Sequence, residues 1–104
     1  MNEEQEEIYM TISEAEAKIA KMEKWQELLN NKLFKELVTD DYLGDDAVRL
    51  TIGIKPKAED NEVTNNLLMA KAMFSRFVGK AINDGQTAVQ AVEENQELLD
   101  KTGK

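Results

Sequence analysis

Between Glu62 and Lys101 the chain runs without a proline, and its apolar residues recur in steps of three, four or seven: Leu67, Ala70, Phe74, Phe77, Ala81, Gly85, Ala88, Val92 and Leu99. At 3.6 residues per turn these share one face of a helix, while Asn, Lys, Arg, Gln and Glu fill the other. Such a helix would be ~60 Å long at 1.5 Å per residue, against a radius of gyration of ~13 Å for a compact domain of this size. The spacing therefore predicts either a broken helix or an elongated molecule that hands part of its apolar stripe to a partner. Within it, Ile82-Asn83-Asp84-Gly85-Gln86 contains helix-stopping residue types, and an exposed interior glycine costs ~1 kcal/mol relative to alanine. Gly85 falls on the stripe, however. A continuous or gently bent helix is expected, with Gly79, Ala81 and Gly85 small because another helix crosses there at close range.

The first third of the chain has a second stripe. Ile8, Ile12, Ala15, Ile19, Met22, Leu29 and Leu33 alternate by four and three, interrupted where Gln26 takes an apolar slot. Trp25, Leu28 and Leu37, joined by Phe34 and Val38, widen the apolar face toward its end. With no Gly or Pro from Met1 to Tyr42, a helix is expected from about 4 to 38, stopped by Thr39, Asp40 and Asp41, whose short polar side chains compete with helical hydrogen bonds. A short helix over about 45–53 ending at Gly53 is favoured over a β-leaning tail at Leu50–Ile54. A polar loop from Lys55 to Asp60 surrounds the only proline, Pro56, and Asp60 or Asn61 is expected to cap the last helix. The expected fold is all-α: one domain, an elongated antiparallel hairpin of two long helices (about 4–38 and 61–101) with the short helix between them. Phe34, Phe74 and Phe77 are expected inside and Trp25 at the edge of the core, with Met10, Met22, Met69 and Met73 as adaptable apolar surface that fits either a loose core or a promiscuous groove.

Charge and composition narrow the chemistry. Thirteen Lys and Arg stand against 21 Asp and Glu, a net charge of -8, so the chain as a whole repels a phosphate backbone or an anionic membrane. Having neither Cys nor His, it lacks disulfides, thiolate or imidazole metal ligands, and catalysis by either group. No apolar run approaches the ~20 residues that span a bilayer. The start (Glu3, Glu4, Glu6, Glu7) is acidic where a secretory signal is basic. Asp40, Asp41, Asp45 and Asp46 offer oxygen ligands for Ca²⁺ or Mg²⁺, but their spacing is not that of a calcium loop, and capping and solubility explain them better. No metal, cofactor or catalytic residue is expected, and the chain reads as a non-enzyme. Arg49 is expected to pair with Asp45 or with a carboxylate of the first helix, either as an ordinary surface salt bridge or, partly buried, orienting a turn that contains Asp41 and Tyr42.

The segment Asn31–Leu50, NKLFKELVTDDYLGDDAVRL, resembles a family of small uncharacterised helical proteins encoded among the structural genes of tailed bacteriophages. Phe34, Lys35, Leu37, Val38, Asp41, Tyr42, Asp45, Ala47, Val48, Arg49 and Leu50 match its pattern, and about a fifth of the chain is covered. Gly44 stands where the family has a bulkier residue, and the following helix is more polar. The resemblance implies a virion or head-assembly role, in the host cytoplasm or in the particle, and supplies no active site. The expected partner surface is apolar (Met22, Trp25, Leu29, Ala88, Val92, Leu99) with an acidic edge at Glu93, Glu94 and Glu97, covered by another protein or a second copy. The alternative is an acidic regulator or decoy occupying the basic, nucleic-acid-binding surface of a host enzyme.

Overall fold

The computed structural model describes residues 3–102, the side chains of Met10 and Thr102 excepted; the surface expected of Met10 thus lies outside the described residues. Every regular element among the described residues is helical: α1 (Glu3–Leu29), α2 (Lys32–Phe34), a π-helix (Lys35–Asp45), α3 (Asp46–Ile52), a 3₁₀ turn (Ala58–Asn61) and α4 (Glu62–Thr102). The chain forms two compact units, residues 1–26 with 80–104, and residues 27–79.

In the first unit, α1 and α4 pack side by side and run in opposite directions. Met22 lies against Gly85, Ala15 shares a cleft with Ala88 and Ala91, and Ile12 shares a groove with Gln96 and Leu99. The inward residues of α1 are Ile8, Ile12, Ala15, Ile19, Met22 and Trp25, and those of α4 are Ala81, Gly85, Ala88, Val92, Asn95 and Leu99. Steps of three and four bring one seam of each helix to the other, as in a coiled coil. Each buried Ile or Met contributes ~1.5–3 kcal/mol. α4 passes through Asn83-Asp84-Gly85 without a break, as the stripe required. A methyl group on Gly85 would overlap Met22 Cβ and fall 2.6 Å from its Sδ, so only hydrogen fits there. Gly79 is different: it is exposed, with nothing within 4 Å of where a Cβ would stand, so the close crossing expected at this residue is absent.

The second unit corrects the expected first helix. α1 stops at Leu29 rather than near 38, because Asn31 turns extended (φ -68, ψ 129) and its side chain caps the next helix, accepting from the Phe34 N–H at 3.0 Å. Leu33, expected on the α1 stripe, is consequently 67% exposed, and Leu37 is exposed too. Thr39, Asp40 and Asp41 do not end a helix; they lie inside the π-helix. There the Asp46 N–H donates to the Asp41 carbonyl, five residues back. At eleven residues this π-helix is much longer than the usual single-turn bulge. Side chains on its covered side step from Val38 to Leu43, then to Ala47 and Leu50. The step of five is one that α-helical periodicity does not contain.

α3 ends at Gly53 as expected, and α4 begins at Glu62. Asn61 is buried, and its side chain makes a different set of bonds from those of a cap. Its Oδ1 accepts from the Lys55 N–H at 2.8 Å, and its Nδ2 donates to the Lys55 carbonyl at 2.7 Å and the Lys57 carbonyl at 3.0 Å. Asn61 thus replaces a strand of backbone and ties the Pro56 loop to the start of α4.

The two glycines of α4 make opposite predictions. Gly79→Ala is expected to raise stability by ~1 kcal/mol through helix propensity alone. Gly85→Ala is expected to lower it by ~1–3 kcal/mol through overpacking, and to cost less when introduced into a Met22→Gly background, where the overlapping Cβ is gone. Thermal unfolding of the unmodified chain, Gly79→Ala, Gly85→Ala, Met22→Gly and Met22→Gly/Gly85→Ala checks both. A destabilising Gly79→Ala or a neutral Gly85→Ala would contradict this packing.

Candidate interaction surfaces

The first half of α4 brings an unexpected group inward. Lys71 occupies a position seven before Val78, on the covered side of the helix, and is only 5% exposed. Its Nζ lies 2.6 Å from Asp46 Oδ2 and 3.5 Å from the centre of the Tyr42 ring. A buried ammonium is costly unless paired, and here a carboxylate and an aromatic face share it. Asp46 also accepts from Arg49, at 2.5 Å from Nη2 and 3.2 Å from Nε. Tyr42 in turn meets Phe74 edge to face, ring centres 6.5 Å apart.

This arrangement revises the expected turn. Arg49 pairs with Asp46, not Asp45 or α1, and its side chain is 72% exposed. Asp41 and Tyr42 stand in the π-helix and Asp45 at its end. Tyr42 and Asp46 stand four residues apart, share one face of the segment and both reach Lys71. Both Asp46 oxygens are therefore occupied by cations. Among the described residues, no group of acidic side chains is placed to hold a metal ion. The Lys71 contact first, and Arg49 second, hold the Asp46 carboxyl below the usual aspartate range; Lys80, whose Nζ lies 2.8 Å from Asp84 Oδ2, does the same for Asp84.

Of the residues expected to meet a partner, Met22 and Ala88 are buried in the seam of the first unit. Trp25, Val92 and Leu99 are half-buried there, and Leu29 is half-buried in the second unit. Their shared stripe is spent largely on the chain's own helix. Glu93, Glu94 and Glu97 are exposed. They stand at the same end of the first unit as Glu3, Glu4, Glu6 and Glu7, beside a groove of 680 Å³ whose lining includes Tyr9, Ile12, Glu16, Leu99 and Asp100.

Exposed apolar side chains concentrate elsewhere. Among the described residues, every exposed large hydrophobic except Tyr9, Val89 and Leu98 lies in 27–79. On α2, the π-helix and α3 these include Leu33, Leu37, Val48 and Ile52, the last 80% exposed. On α4 they are Val63, Leu67, Met69, Met73 and Phe77. Phe77, expected in the core, is 57% exposed, because the covered side of this stretch runs through Thr64, Leu68, Lys71, Phe74 and Val78 rather than Leu67, Ala70 and Phe77. Helical spacing alone could not separate these two neighbouring stripes. No helix among the described residues is long and apolar enough to cross a membrane. No family model, curated protein or solved structure matches the chain.

Two tests follow from the Lys71 site. Asp46→Asn should destabilise more than Lys71→Met, since the first leaves an ammonium buried without its carboxylate while the second leaves Asp46 with Arg49. Equal losses in chemical denaturation would contradict the pairing. The depressed carboxyls of Asp46 and Asp84 contribute stability that is fully present above the ordinary aspartate value, about 3.9, and is lost as pH falls through their lower folded values. Asp46→Asn with Asp84→Asn should therefore flatten the acid limb of a stability–pH profile. An unchanged limb would remove both from the account.

Proposed function

We propose that this protein is non-enzymatic and acts by docking an apolar helical surface of residues 27–79 onto another protein, as a component or assembly factor of a tailed-bacteriophage virion. One observation carries the docking part. Val48 and Ile52, one turn apart on α3, are both exposed, and contiguous exposed apolar surface on a small protein marks an interaction site. The resemblance of Asn31–Leu50 to proteins encoded among phage structural genes supports the choice of partner, since the same segment carries these side chains. Charge fits this division of labour. Residues 27–79 hold seven Lys and Arg against nine Asp and Glu, while the remainder holds six against twelve, so apolar docking meets least repulsion in 27–79.

The acidic end of the first unit favours a second reading, a decoy for a basic surface, because α1 and α4 bring their carboxylates to one end. The two separate by salt. Apolar docking should survive added salt, whereas a decoy complex weakens steeply.

The decisive experiment is co-purification of the tagged chain from phage-producing cells. The expected result is capture of a capsid, portal or neck component, lost in Val48→Glu/Ile52→Glu and retained in Glu93→Lys/Glu94→Lys/Glu97→Lys. Capture lost only in the charge-reversed variant would replace this reading with the decoy. No capture of any virion component would reject it.

A further inference from the structure

We propose that residues 62–77 of α4 form a self-complementary face on which a second copy of this chain docks antiparallel, with the two-fold axis passing beside Ala70. The inference rests on the reading of this protein as one that works through helix contacts, and it names the occupant of one face.

Val63, Leu67, Ala70, Met73 and Phe77 are all exposed. At 100° per residue they span an arc of ~120° on α4, beside the covered stripe rather than on it. Their order along the helix is close to a palindrome in size. Ala70 is central; Leu67 and Met73 each stand three residues from it, and Val63 and Phe77 each stand seven. Turning a second helix end for end about Ala70 sets Leu67 against Met73 and Val63 against Phe77. The small Ala70 lies where the two backbones would come closest. A two-fold interface has this property of presenting one patch to itself.

The charges agree with the same operation. Along the flank of the stripe on the Met73 side, Glu62 stands at one end and Arg76 at the other, both exposed. In an antiparallel pair, like flanks face each other, so Glu62 of each copy meets Arg76 of the other, twice per dimer. In a parallel pair unlike flanks face each other, so Glu62 of one copy would not meet Arg76 of the other and both ion pairs would be forgone. The antiparallel second copy is thus selected by both apolar order and charge. Val48 and Ile52 lie on α3, outside this stripe, and are left to the partner of the preceding section.

The chain has no cysteine, so single cysteines report the geometry directly. In the full-length protein, Ala70→Cys should form a disulfide-linked dimer rapidly with diamide, which takes two electrons and two protons from the facing thiols. Val63→Cys alone should not, because its two copies would stand about 21 Å apart along the helix, beyond the ~7 Å Cα reach of a disulfide. Val63→Cys mixed with Phe77→Cys should cross-link to each other. By sedimentation the unmodified chain should be a dimer, Glu62→Arg should weaken association at least about tenfold, and Glu62→Arg/Arg76→Glu should restore it. Circular dichroism of these surface variants verifies that they remain folded. A monomer at all concentrations, self-linking of Val63→Cys as fast as that of Ala70→Cys, or no recovery in the double variant would each overturn the proposal. Val48→Glu/Ile52→Glu should leave the dimer intact. Loss of virion capture with the dimer preserved strikes only the proposed function, and loss of the dimer with capture preserved strikes only this inference.

Discussion

An amphipathic helix can hide one stripe against one neighbour, and whatever apolar side chains lie off that stripe remain in water until something else covers them. In the first unit the limit is met within the chain. α1 and α4 give each other one seam of alternating three and four steps, and the residues off the seam are mostly Glu, Lys and Gln. The contact at Met22 and Gly85 lets the helices approach closely. In the second unit the limit is not met. The covered stripe takes Leu68, Phe74 and Val78, while Leu67, Met73 and Phe77 stand beside it in solvent.

The buried ammonium of Lys71 explains part of this division. Placing a cation on the covered side of α4 commits the facing segment to supply a carboxylate and an aromatic ring, and Asp46 and Tyr42 do so. Tyr42 sits in the π-helix and Asp46 at the start of α3, four residues on. That spacing of four puts both on one face, within reach of the same Nζ. A polar centre of this kind stabilises little in total, but it fixes one register, since any slip would strand a charge. That register is also what leaves the neighbouring apolar stripe of α4 outside.

Much of this was legible in the amino acids. The all-helical class, the limits of α3 and α4, the uninterrupted passage through Asn83-Asp84-Gly85, and the stripe from Ile8 to Leu29 all follow from apolar spacing and from Pro56 and Gly53. Three things did not. The stop at Asn30-Asn31 depends on one side chain choosing to cap, and absence of Gly and Pro argued the other way. The π-helix replaces a step of four by one of five between Val38 and Leu43, a shift that a search for 3.6 periodicity reads as a helix end. The inward stripe of α4 between Thr64 and Val78 contains Lys71, and hydropathy places a lysine outside because it cannot see the carboxylate across from it. Met22 and Ala88, expected on a partner surface, are buried in the seam between the chain's own helices, which the spacing of one helix read by itself does not reveal.

The central claim is that apolar surface in 27–79 is covered by another polypeptide when the protein works. A photo-activated diazirine amino acid placed at Ile52, and separately at exposed Glu23 in the first unit, tests it in the producing cell. The account predicts a covalent adduct to another protein from position 52 and none from position 23. No adduct from position 52, or equal adducts from both, would contradict it.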